Sequence, residues 1–191
     1  NNVFIGEGAG ELNGNSKSFN VFIGNESGKK NKDGINNCFI GRRSGFQNTR
    51  SSSSVFIGNN TGFSNEGSEN VFIGNEAGSV NKSGTRNVFL GSEAGQSNQF
   101  GDNNVFIGYR TGQFNKSNFN SDDGNNNVFI GNESGQNNRV GKNNVFLGYR
   151  TGQRNIGGEN NVFLGTNAGR NNEEGSYNVF LGYESGMYNV S

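Results

Sequence analysis

Val-Phe-Ile/Leu-Gly recurs eleven times, starting at Val3, Val21, Cys38 (Cys in place of Val), Val55, Val71, Val88, Val105, Val128, Val145, Val162 and Val179. Successive starts lie 18, 17, 17, 16, 17, 17, 23, 17, 17 and 17 residues apart. A fixed period along the whole chain means one supersecondary unit per period, each needing its neighbours to bury an apolar face. Counting the Val as position zero, Phe stands at position one, Gly at positions three and seven, and Asn at position ten in all eleven copies. Position six is Ala, Ser or Thr, and the residue before the Val is Asn except at Ser54.

Each unit holds one apolar run of three residues, too short for a helix, and two glycines that would break one. Val, Phe and Ile suit a short strand. Gly at fixed places marks corners, because it adopts backbone angles closed to other residues, and Asn tolerates such angles too. The pattern predicts an all-β fold: a parallel β-solenoid, or β-roll, of eleven coils. At about 4.8 Å per coil the rod would be roughly 50 Å long.

Stacking sets like side chains above like. The Asn column at position ten (Asn13, Asn31, Asn48, Asn65, Asn81, Asn98, Asn115, Asn138, Asn155, Asn172 and Asn189) is expected to form an internal amide ladder, as in cross-β structures. Side chains alternate across a strand, so Val and Ile share one face and Phe takes the other. The small residue at position six matches a Val/Ile interior across a narrow coil. Phe4, Phe22, Phe39, Phe56, Phe72, Phe89, Phe106, Phe129, Phe146, Phe163 and Phe180 are then expected outside, as an oligomer interface. The opposite assignment puts Phe inside and Val/Ile outside. Either way an apolar stripe faces outward and calls for a partner.

Only 29% of the 191 residues are hydrophobic, a level that suggests disorder, but 17 Phe, most of them at fixed spacing, oppose that reading. Sixteen basic residues balance sixteen acidic ones, which argues against a nucleic-acid or anionic-membrane partner. No apolar run is long enough for a membrane-spanning helix. The chain begins inside a repeat without Met, and is expected to be a single solenoid domain over residues 1–191 from a longer fibre protein. Cys38, the only cysteine, stands in a Val column and reads as a small buried apolar residue.

No catalytic set emerges. Without His there is no Ser-His-Asp or Cys-His arrangement and no Cys/His metal site. Asp122-Asp123-Gly124 reads as a solvated turn. Gly-x-x-Ala/Ser-Gly recurs throughout, so no copy is a phosphate loop, which needs Gly-Lys-Ser/Thr opening a helix. No enzyme activity, cofactor or metal is expected. Sequons such as Asn25-Glu26-Ser27 do not establish a glycoprotein. At position five, Glu26 precedes Arg43, Glu93 precedes Arg110 and Glu133 precedes Arg150, so opposite charges adjoin on neighbouring coils, while Glu76 beside Glu93 breaks the order. Tyr109, Tyr149 and Tyr183 recur at position four on alternate coils, as surface decoration or a shallow aromatic strip for sugars or a neighbouring fibre.

"NNVFIGNESG" and its copies resemble the Asn-x-Val-Ala-Ile-Gly repeats in the heads of YadA-like trimeric autotransporter adhesins. They are also similar to Asn-Gly-rich repeats of bacteriophage tail-fibre-type surface proteins. The adhesin resemblance implies a left-handed parallel β-roll with three chains packed around an axis. Here the period is longer, and Phe stands where that family often has Ala.

These observations predict a structural or adhesive rod module of an extracellular or cell-surface fibre. Its expected partner is itself, as a homotrimer or filament, with host or surface glycans as further ligands. The alternatives are a carbohydrate- or ice-binding solenoid and a phage tail-fibre shaft. No Thr column of the ice-binding kind exists.

Overall fold

Gly at position three ends every strand, with φ between 111° and 139°. That region is strained for any residue with a Cβ. The rungs also meet most closely there: a Cβ on Gly24 would lie 2.6 Å from the carbonyl oxygen of Gly41. The corner therefore needs Gly twice over, for its angle and for its thinness.

The computed structural model describes residues 1–14, 18–116 and 123–189. Among them are eleven three-residue strands: β1 (Val3–Ile5), β2 (Val21–Ile23), β3 (Cys38–Ile40), β4 (Val55–Ile57), β5 (Val71–Ile73), β6 (Val88–Leu90), β7 (Val105–Ile107), β8 (Val128–Ile130), β9 (Val145–Leu147), β10 (Val162–Leu164) and β11 (Val179–Leu181). They form one parallel sheet in sequence order, with no helix among the described residues. Register is strict: Val pairs with Val and Phe with Phe on neighbouring rungs. It survives the longest interval, where Val105 pairs with Val128. The six extra residues of that interval predict a loop protruding at about residues 116–124, with Phe119, and it falls mostly outside the described residues. The chain is a β-solenoid, as its period predicts.

The two faces of the strand are the reverse of the first expectation. Phe22, Phe39, Phe56, Phe72, Phe89, Phe106, Phe129, Phe146 and Phe163 are fully buried inside the coil. Phe4 and Phe180, on the terminal rungs, have a ring neighbour on one side only; Phe4 is 38% exposed and Phe180 partly buried. These eleven rings are therefore not an outward interface. They form one stack through the rod, with centroids 4.6–5.1 Å apart and planes within 3–17° of parallel. Full burial of one such ring contributes roughly 1.5–3 kcal/mol.

The ring fits inside because Gly at position seven makes room for it. A Cβ on Gly28 would lie 2.6 Å from the Phe22 ring, and one on Gly62 equally close to Phe56. The small residue at position six completes the wall. Its hydroxyl, where present, donates to the next rung, as Ser27 does to the Phe39 carbonyl at 3.0 Å and Thr111 to that of Gly131 at 2.6 Å. Position six thus accommodates Phe, not Val and Ile.

Two Asn columns flank the Phe stack. At position ten, Asn81, Asn98, Asn115, Asn138, Asn155, Asn172 and Asn189 each donate to the Oδ1 of the Asn one rung earlier, at 2.5–2.8 Å. Asn31 donates to Asn13 in the same way at 2.8 Å. The remaining amide hydrogen closes the corner locally, as from Asn98 to the Gly101 carbonyl at 2.8 Å. The ladder is interrupted at Asn48 and Asn65, which both donate to the Ser51 hydroxyl instead.

The Asn before each Val forms a second ladder of a different kind. Its Oδ1 accepts from the backbone N–H of its counterpart on the next rung, as Asn87 does from Asn104 at 2.9 Å. Its amide donates to a corner carbonyl of that rung, Gly101 in the case of Asn87, at 2.8 Å. Ser54 accepts from Asn70 N–H at 3.2 Å and keeps half of this pattern. Buried amides at 0% exposure are tolerable because they are paired in this way.

Candidate functional site

With Phe and Asn committed to the interior, the surface chemistry falls to the remaining columns. Val and Ile/Leu point outward from β1–β11 and are half-buried or exposed; Ile73 is 38%, Val162 41% and Leu164 47% exposed. Each rung adds one β-branched residue, or Cys38, and one Ile or Leu, so two apolar columns run the length of the sheet. Cys38 lies half-buried on this face rather than in the core, and burial pushes its thiol pKa up.

Position five carries the charges. Its residues have φ near 55°, as in Glu26 (57°), Arg43 (53°), Glu93 (58°) and Arg110 (51°), so a non-Gly residue sits in the left-handed region on nearly every rung. The expected ion pairs form between neighbouring rungs: Arg43–Glu26 at 2.6 Å, Arg110–Glu93 at 2.8 Å and Arg150–Glu133 at 2.8 Å. The sequence pattern did not reveal the second partner. Gln113 also donates to Glu93 at 2.7 Å, and Gln153 to Glu133 at 2.8 Å. Glu76, which lacks a position-five cation, receives Gln96 at 2.6 Å. These glutamines occupy position eight and bond along the rod, Gln96–Gln113 at 3.0 Å, Gln113–Gln136 at 2.9 Å and Gln136–Gln153 at 3.2 Å. Exposed pairs of this kind are worth well under about 1 kcal/mol each. Their effect is to fix each side chain over its neighbour.

Tyr109 and Tyr149 hold the Arg110 and Arg150 guanidiniums 4.8 Å from their ring centres, so these rings are partly covered by their own rungs. Tyr183 is exposed. Among the described residues no group of three or more His, Cys, Asp or Glu could hold a metal ion. Asp122, of the Asp-Asp-Gly turn, lies outside those residues.

The column residues are irregular on the rungs of β3–β5. Cys38, Ser51 and Ser54 replace column residues there, the spacing falls to 16, and Phe46 and Phe63 take position eight. Their rings stack at 5.1 Å on the outside of the rod. A surface cavity of about 290 Å³ beside Phe63 is lined by Arg43, Asn60, Phe63, Glu76, Ser79 and Val80.

Compared with protein-family models, with curated proteins and with solved structures, the chain matches none.

Proposed function

We propose that this chain is the rod of an extracellular or cell-surface fibre, assembled side by side with copies of itself through the outward Val/Ile face. The observation that carries this reading is the pair of apolar columns on β1–β11, in register from the first rung to the last. Single exposed apolar residues are ordinary on a protein surface; a contiguous strip is the mark of an interface. A second copy has the same rung spacing, so every Val and Ile on one rod meets a residue at the same height on the other. No other partner shares that repeat automatically. The zero net charge adds no long-range repulsion between rods. The resemblance of the repeat to adhesin heads and phage fibres supports a homotrimer or filament at a surface.

Mass in solution, by sedimentation or light scattering, tests the proposal. The wild-type chain is expected to be oligomeric at micromolar concentration. Changing Ile57, Leu90 and Ile107 together to Ser is expected to release a monomer whose circular dichroism is unchanged. A folded, monomeric wild-type chain overturns the reading.

A further inference from the structure

Position eight is a column of long side chains broken at one rung. Phe46 and Phe63 stack on consecutive rungs with planes 4° from parallel. Lys29, Lys30 and Arg43 place their charges over Phe46, 5.9, 5.4 and 5.7 Å from its centre. On the next rung the column holds Ser79, too short to cover Phe63, and one rung further Gln96, drawn to the Glu76 carboxylate at 2.6 Å. The stack of cation, ring and ring therefore ends in a gap one side chain deep, and this gap is the 290 Å³ cavity.

The lining selects the class of guest. Its floor is the face of Phe63 turned away from Phe46, which is electron-rich and attracts polarised C–H groups. Its rim carries donors and acceptors together: the Arg43 guanidinium, the Asn60 amide, the Glu76 carboxylate and the Ser79 hydroxyl. A purely aromatic guest would desolvate this rim without pairing it, at a cost. A charged guest gains little, because Glu26 already binds Arg43 at 2.6 Å and Gln96 already binds Glu76. A neutral ring with an apolar face and hydroxyls around its edge satisfies both parts. We propose that this cavity binds a neutral pyranose, stacked on Phe63 with its hydroxyls on the Arg43–Asn60–Glu76 rim. A second cavity, sharing Val80 and bordered by Gln47 and Lys82, adjoins it and gives a longer oligosaccharide room to continue. This site is separate from the Val/Ile face and stands whether or not rods associate.

Methyl glycosides of glucose, galactose and N-acetylglucosamine, with their β-linked tetrasaccharides, are the probes, titrated calorimetrically into the whole chain. At least one is expected to bind, the tetrasaccharide more tightly than the monosaccharide. Phe63→Ser should weaken binding about tenfold or more, the loss of one stacking contact. Ser79→Phe should abolish it by adding a third ring to the stack. That variant is expected to fold, since position eight already holds Phe on two consecutive rungs, and its oligomeric mass should match the wild type. Tyr149→Ser is expected to leave binding unchanged. The proposal is overturned by no binding of any probe, by binding that survives Ser79→Phe, by loss on Tyr149→Ser alone, or by phenol or indole binding in the cavity where sugars do not.

Discussion

The side-chain amide of Asn48 donates to the hydroxyl of Ser51, and not to Asn31 on the rung before it. Asn31 Oδ1 is left buried without a partner. Ser51 stands where most rungs have the corner Gly, and at Gly84 a Cβ would lie 2.5 Å from Asn81 Oδ1, within the ladder's own space. Ser51→Gly is expected to swing Asn48 back to Asn31 and restore the run. Relieving an unsatisfied buried acceptor is worth about 1–3 kcal/mol, against about 0.4–1 kcal/mol for the added freedom of Gly in the unfolded chain. The net gain of about 1 kcal/mol should raise Tm by roughly 2–4 °C. A lower Tm would show that the Ser51 hydroxyl is the better link.

The interior position of Phe predicts an order of severity. Phe106→Ala opens a void between Phe89 and Phe129 and should cost about 3–5 kcal/mol. Ile107→Ser, one residue on but facing outward, should cost the single rod less than about 1 kcal/mol. Urea unfolding at two protein concentrations separates packing from assembly: the Phe106 effect should not depend on concentration, whereas the Ile107 effect should grow with it. Equal costs would return Phe to the surface.

Acid should loosen the rod at Glu26. Hydrogen bonds from Lys29 and Arg43 hold its carboxyl below the ordinary value of 4.5. A carboxyl whose pKa is lowered by folding stabilises the fold above its unfolded pKa, and that contribution disappears as pH falls through the folded pKa. The wild type should therefore melt above Glu26→Gln at neutral pH, with the difference closing below pH 4.5. A gap in Tm that persists unchanged at low pH would exclude the ion-pair explanation.

Deletions test the one-dimensional character of the fold. Removing residues 145–161, a whole period from Val145 to the residue before Val162, should leave a folded, shorter rod, because each rung touches mainly its neighbours. Removing Phe146 alone shifts the strand by one residue and exchanges its faces, so it should abolish cooperative melting. Similar thermal melts for the two deletions would contradict stacking in register.

The solenoid, its strands and the Asn ladder at position ten are legible because the period is a direct image of the rung; the second Asn column, which bonds to backbone groups instead, is not. The orientation of the strand is the reverse of what position six suggests, although the chain contains the clue. Position one is Phe and position seven Gly in every copy, whereas position zero admits Cys38 and position two admits Leu90, Leu147, Leu164 and Leu181. The stacked ring inside the coil and the glycine that makes room for it admit no replacement, whereas the outward columns do. The Phe63 cavity was hidden for another reason. It depends on what Ser79 fails to cover, and the absence of bulk at one rung is visible only when the rungs are stacked. The glutamine contacts to Glu93 and Glu133 were likewise invisible, because they join positions eight and five across 20 residues.

Every amide in the unbroken Asn run, from Asn81 to Asn189, donates toward the chain's beginning. Backbone dipoles in a sheet largely cancel, but these side-chain dipoles add, as peptide dipoles do along a helix. The rod's interior therefore carries an electric moment parallel to its axis, in a medium too dry to screen it. Two such rods lying side by side repel slightly when they run the same way and attract when they run opposite ways. A bundle of co-oriented chains thus has to draw its cohesion from apolar contact, and an applied field should align free rods head to tail along its lines.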